Sequence, residues 1–230
     1  MFAALTTPRY ITRKSSWVTH IPFAFFLAEL LRPRTFVELG VYHGDSYCAF
    51  CQAFQRCGLD TQCSGIDTWT GDSQQGFYSG EVLTKLRAYH DPRYGTFSHL
   101  IQSTFDDAAA AVTDGSIDLL HIDGFHSHEA VRHDFTTWRP KLSARGVVLF
   151  HDTAVTRAGY EVHRFWEELA PQFPSFSFQH GSGLGVLGVG QNLPPLFLRF
   201  IERAGRATVL YRALFHGLGY RIRRLRPRAR

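Results

Sequence analysis

The chain has 230 residues, of which 44% are hydrophobic and 20% charged, and a net charge of +5. That size fits one large domain with a substantial core, and the composition is ordinary for a globular protein and too polar for a membrane bundle. Ten arginines and one glutamate in 191–230 give that segment +9 and leave the remainder at −4. The basicity therefore belongs to a tail, whereas an enzyme of nucleic acids carries it on the folded body, which argues against a specific nucleic-acid partner. The first residues lack the apolar run and cleavage site of a secretory signal, and no window approaches the ~18 apolar residues of a spanning helix. The expected location is the cytoplasm.

In chain order, 1–14 reads as an extension and 17–31 as an apolar helix that stops before Pro33. Residues 35–40 (TFVELG) form a short buried strand, and Asp45 or Ser46 starts a helix that runs to Cys57. Strands follow at 63–67, 99–103, 117–123 and 146–152, with helices at 105–112, around Val131, Phe135 and Trp138, and around Phe165, Trp166 and Leu169. Alternation of this kind implies parallel βαβ units with right-handed crossovers. Residues 176–180 and 185–190 break the pattern as a hairpin. The expected fold is α/β, a Rossmann-like sheet of seven strands, five parallel plus the hairpin, with helices on both faces. Residues 68–95, which hold a short helix at 81–89, are unusually long for a connection and sit where a lid would serve. Cys48, Cys51, Cys57 and Cys63 lack paired knuckle spacing and read as reduced thiols, not a zinc site.

Two glycine patterns need separating. Glu38, Gly40 and Gly44 give E-x-G-x-x-x-G across a strand-to-helix turn, where Gly40 allows a sharp turn and Gly44 a close approach to a ligand. Asp67 ends the second strand and is placed as the acidic acceptor of ribose hydroxyls, which makes the pair a nucleoside-binding signal. Gly183, Gly185 and Gly188 spell G-x-G-x-x-G but precede no helix, so they read as small residues in a hairpin.

The order VELGVYHG, GIDTWTGD, LLHIDGFHSHEAVRHDF, RGVVLFHDT, then a hairpin, resembles class I S-adenosylmethionine-dependent methyltransferases over roughly 15–190. More narrowly it resembles the branch of metal-dependent sugar (macrocin-type) O-methyltransferases and cephalosporin-hydroxylase-like proteins. The resemblance implies S-adenosylmethionine and a divalent metal, magnesium first, as cofactors. It also implies a metal acid at the end of the fourth strand (Asp123), a ligand pair at the end of the fifth (His151, Asp152) and a base three positions after the first acid (His126). His151 stands where that family has an acid. Adjacent strand ends lie about 4.8 Å apart, so these groups can converge on one ion. The expected cofactor-binding set is Glu38, Gly40, Gly44, Asp67, Trp69, Ser103 and Asp123; Glu38 is an indirect partner, Trp69 either covers the ligand or plugs the core, and Ser103 lies near the adenine. His121 reads as a core histidine, and Ser127 as a helix cap.

The reading is therefore an O-methyltransferase acting on a hydroxyl of a sugar, glycoconjugate or small molecule. Two alternatives stay open: a metal-dependent hydrolase using Asp123, His126, His151 and Asp152, and a nonenzymatic nucleoside-binding partner of a glycosyltransferase. The amphipathic basic segment 191–230 points to contact with a membrane surface, here the inner face, or with a protein partner, and otherwise to a disordered tail. Self-association is also open.

Overall fold

A computed structural model describes residues 2–13 and 15–225. The main sheet contains β1 (Thr35–Leu39), β2 (Gln62–Asp67), β5 (Ser98–Gln102), β6 (Ile117–Ile122), β7 (Leu142–His151), β8 (Ser175–Phe178) and β9 (Leu184–Gly188). Between β2 and β5 lie a two-stranded ribbon, β3 (Gly71–Asp72) and β4 (Gly76–Phe77), and helix α3 (Glu81–Tyr94). The other helices are α1 (Ile21–Leu31), α2 (Asp45–Arg56), α4 (Phe105–Ala110), α5 (His128–Trp138), α6 (Val162–Leu169), α7 (Pro195–Arg206) and α8 (Thr208–Arg223). The sheet order is β5-β2-β1-β6-β7-β9-β8. The first five strands are parallel, and β9 runs antiparallel to both of its neighbours. The chain thus has the expected α/β architecture, a seven-stranded Rossmann-like sheet of five parallel strands plus a C-terminal hairpin.

Strand side chains alternate between two cores. Phe36, Leu119, Val147 and Leu149 face the helices α1, α2, α3, α7 and α8, while Val37, Leu120, Val148 and Phe150 face α4, α5 and α6. In β6 the register shifts between Ile117 and Leu119, which lets Ile117 join the second core despite its odd number. Asp118 at the shift is buried and accepts from Arg34 N at 2.9 Å and Ser143 Oγ at 2.6 Å. Its paired state satisfies the rule that a buried charge needs partners.

Several boundaries differ from the sequence reading. The first turn of the 17–31 helix is a 3-10 turn, Trp17–His20, because Pro22 at the next turn lacks the amide that would continue an α pattern. Helix α3 passes Pro92 to Tyr94, whose ring is fully buried and anchors the last turn. Strand β7 starts four residues earlier than expected, since Leu142 and Ser143 pack under the sheet. The segment after 190 forms two helices broken at Ala207, not at its glycines; Phe197, Phe200, Phe215 and Ile222 join the core of α1. Gly219 is needed there because a Cβ would meet the Thr19 backbone. Among the described residues its arginines are exposed except Arg212, which donates to Ser177, and Arg221 donates to the Leu5 carbonyl. Among the described residues no helix is long and apolar enough to cross a membrane. Cys48, Cys51 and Cys63 are buried thiols and Cys57 is half-buried, as free side chains.

One buried acid tests the packing of the α5 side. Burial pushes the Asp134 carboxyl up to about 7, against a mean of about 3.9 for an unfolded aspartate. Between those values the folded chain keeps a proton that the unfolded chain loses, so this contribution to stability falls as pH rises from about 4 to 7. Asp134→Asn is expected to gain on the wild type across that window, by on the order of 3 kcal/mol, read as melting temperature at pH 5 and pH 8. A difference that does not change with pH would contradict the assignment.

Candidate active site

The parallel ladder continues one residue past the strands and lines up the site at one carboxyl edge. Gly40 N donates to Ile66 O at 2.9 Å, Asp123 N to Leu39 O at 2.8 Å and Ser103 N to Asp67 O at 3.1 Å. Above this edge opens a cleft of about 370 Å³, lined by Gly40, Gly44, Asp67, Asp123, His126, His151 and Asp152 among others. Seven residues separated by up to 112 positions thus share one cavity.

The glycine turn has a different physical basis from the one expected at its second position. Gly40 has φ +88°, and a Cβ there would strike the Asp123 carbonyl, so glycine lets β1 and β6 end side by side. Gly44 has φ +83° at the start of α2, and its Cβ would meet Leu86 of α3. It serves packing of α3 as well as the cleft wall. Asp67 Oδ2 accepts from Tyr42 N at 2.8 Å and Oδ1 from Trp69 N at 2.7 Å. Tyr42 (φ +48°) and Trp69 (φ +50°) are both left-handed, a conformation that costs about 1–2 kcal/mol for a residue with a Cβ. The Asp67 carboxylate therefore holds two strained turns and retains lone pairs toward the cleft. Burial raises its pKa, opposed by the two amides.

Three expected cofactor residues do not face the cleft. Trp69 is 1% exposed, donates Nε1 to Tyr42 O at 2.9 Å and plugs the core under the lid. Glu38 is fully buried; Ser46 Oγ donates to it at 2.7 Å, and His121 Nδ1 lies 3.0 Å away without hydrogen-bond alignment. His121 accepts from Trp17 Nε1 at 3.2 Å, which makes it the core histidine expected. Ser103 lies behind the lining, where its neighbours Thr104 and Phe105 take the wall. Thr104 also caps α4, and Ser127 caps α5 through Ala130 N at 3.2 Å.

The polar centre lies between β6 and β7. One ligand atom each from Asp123, His126 and Asp152 falls within 4.8 Å of the others, a set that fits a divalent cation. His126 Nε2 is 2.8 Å from Asp152 Oδ2 and 4.0 Å from Asp123 Oδ1. His151 stands beside this trio, against both of its acids. Its Nε2 donates to Gly181 O at 3.0 Å, and its Nδ1 lies 3.1 Å from Asp123 Oδ1 and 3.3 Å from Asp152 Oδ2. Burial opposes a charge on this ring, but the two carboxylates hold its pKa well above the usual histidine value. The neighbouring His151 keeps Asp152 below the usual carboxylate range despite burial. Asp152 itself is left-handed, φ +60°. His126 thus joins the two acids in the trio, and His151 lies against the same two acids from the Gly181 side.

Other residues reach the site from outside the strand ends. Thr12 donates through its amide and hydroxyl to Asp45, both at 2.6 Å, so the N-terminal extension straps the start of α2 and brings Ser15, Ser16 and Trp17 to the cleft. Gln74, in the ribbon turn, touches His126, and Tyr160 stacks on the His126 ring at 4.3 Å. Asp72, Gln75 and Tyr78 of the long 68–95 segment line the cleft together with Tyr42. The decoy glycines behave as packing residues: Gly183 has no room beside Ala154, and Gly185 lies under Trp166.

A family model described as a methyltransferase domain matches residues 37–153, which spans both the glycine turn and the polar trio. The chain belongs to that family. Among solved structures, the chain resembles the cofactor-bound protein Rv0187 from MTB, with TM-score 0.59, 14% identity, and 82% of this chain and 86% of that one covered. It also resembles the O-methyltransferase TomG from Streptomyces achromogenes, solved with S-adenosylmethionine, with TM-score 0.57, 15% identity, and 82% and 94% covered. The SAH-bound methyltransferase PaMTH1 of Podospora anserina gives TM-score 0.57, 16% identity, and 74% and 77% covered. A curated relative, the uncharacterized protein y4gI of Sinorhizobium fredii (strain NBRC 101917 / NGR234), is 44% identical over 82% of this chain. The methyltransferase spans only 21% of that relative's length.

Proposed function

We propose that this methyltransferase moves the methyl group of S-adenosylmethionine to a hydroxyl of a sugar, glycoconjugate or small molecule, with a divalent cation, magnesium first, at Asp123, His126 and Asp152. The observation that carries the proposal is the meeting of two sites in one cleft: the Gly40–Gly44 turn with Asp67 on one side, and the trio on the other. Solved relatives of the same fold are bound to S-adenosylmethionine or its product, which supports the cofactor. A hydrolase would use the trio but has no need of the Asp67 turn, so the shared cleft favours methyl transfer.

The chain's residues have distinct tasks. Asp67 and the left-handed turns at Tyr42 and Trp69 form the wall that receives the nucleoside. The bound cofactor supplies an electrophilic methyl group on a sulfonium, and a cation at the trio lowers the pKa of a hydroxyl placed against it. The enzyme's contribution is alignment of that hydroxyl with the methyl group and removal of its proton. Asp123 is the trio member whose side chain reaches solvent, at 20% exposure, and the proton of the acceptor hydroxyl would leave to water on that open side. His126 and Asp152, at 5% and 8%, hold the inner side of the pair. The ribbon carrying Gln75 and Tyr78 lies over the same cleft and excludes water.

The test is transfer of a labelled methyl group from S-adenosylmethionine to a panel of neutral hexosides, glycolipids and phenols. Product is expected with magnesium or manganese, with loss in EDTA and recovery on adding the metal back. Transfer that persists unchanged after removal of divalent ions would overturn the metal half of the proposal. Transfer only to nitrogen or carbon acceptors would overturn the hydroxyl half.

A further inference from the structure

We propose that Gln74 is the positioning residue of His126, so that the lid ribbon and the polar trio form a single unit. The inference rests on the reading of Asp123, His126 and Asp152 as a cation site. Gln74 lies in the turn between β3 and β4, where Asp72 Oδ1 accepts from the amides of Gln74 at 2.6 Å and Gln75 at 2.8 Å. That Asx turn fixes the backbone from which the Gln74 side chain extends.

The two ends of the side-chain amide are assigned by their partners. Oε1 lies 3.0 Å from His126 N, an amide that can only donate, and Nε2 lies 2.6 Å from Gly159 O, a carbonyl that can only accept. The oxygen therefore faces His126, and Nδ1 of that ring, 2.8 Å from the same oxygen, must carry its proton. In the neutral imidazole this leaves the lone pair on Nε2, toward the Asp152 and Asp123 carboxylates. A lone pair facing two carboxylates is repulsive unless a cation stands between them.

Ring rotation is blocked as well. Tyr160 stacks on His126 at 4.3 Å and 18°, and the Arg157 guanidinium lies 3.8 Å from the centre of the Tyr160 ring. Tyr160 also accepts from Gln75 Nε2 at 3.4 Å. One lid turn thus contacts His126, the stacking Tyr160 and the Gly159 backbone together. Outer partners of this kind set the tautomer and orientation of a ligating histidine, and their loss typically costs 10–100-fold in metal affinity.

The experiment uses the full chain with Mn²⁺ as the probe. Titration calorimetry is expected to show Q74A binding Mn²⁺ about 10–100-fold more weakly than the wild type. Q74E keeps an oxygen acceptor for Nδ1 but loses the donor to Gly159 O, so it should restore part of the affinity. With Mg²⁺ bound, ¹⁵N spectra of the His126 ring should report the proton on Nδ1 in the wild type and a tautomer mixture in Q74A. Circular dichroism confirms that each variant is folded. Equal Mn²⁺ affinity and an unchanged ring spectrum in Q74A would overturn the role of Gln74. A wild type that binds neither Mn²⁺ nor Mg²⁺ would instead overturn the cation site, and with it the inference.

Discussion

His126→Ala is expected to lower turnover by on the order of 10²–10⁴-fold while the affinity for S-adenosylhomocysteine changes little. The separation follows from where the ring sits. His126 contacts Asp152, Gln74 and Tyr160, all on the acceptor side of the cleft. The Gly40 turn and Asp67 are built on β1 and β2 and share none of these bonds. Alanine also leaves Asp152 without its 2.8 Å partner, so Mn²⁺ affinity should fall with the rate. A variant with full activity would remove His126 from the reaction, and one that loses cofactor binding equally would show that the ring merely supports the fold.

The second large effect belongs to Asp67. Asp67→Ala removes the acceptor of two backbone amides and exposes the strain of Tyr42 and Trp69. A hydrogen bond to a charged group contributes about 1.5–3 kcal/mol, so loss of a ribose contact alone corresponds to a fall of roughly 10–100-fold in cofactor affinity. Relaxation of the two turns adds to it and lowers the melting temperature. Affinity for Mn²⁺ should stay near the wild-type value, because the trio hangs from β6 and β7. Cofactor affinity unchanged by calorimetry would take Asp67 out of the nucleoside wall.

The strand-and-helix order was legible because each parallel strand is a short apolar run closed by glycine or an acid, and each helix repeats its apolar residues every three or four positions. The same logic located Gly40, Asp67, Asp123, His126, His151 and Asp152, since all stand at strand ends or in the loop just beyond. What the sequence did not show was direction. Trp69 follows Asp67 and read equally as a cover or a plug, and its left-handed backbone turns it inward. The places of His126 and His151 depended on the Gly181 carbonyl and on Gln74, which lie 30 and 52 positions from the rings they touch. The strap at Thr12 and the docking of α7 and α8 are also long-range packing, hidden behind a composition that marked both ends of the chain as appendages.

The central claim is that this cleft binds the methyl donor beside a cation. Titration of the purified protein with S-adenosylhomocysteine, once in EDTA and once in magnesium, tests it most directly. The account predicts binding in both conditions, with Asp67 and not the metal setting most of the affinity. Absence of binding in both would contradict the account and return the trio to the chemistry of a metal-dependent hydrolase.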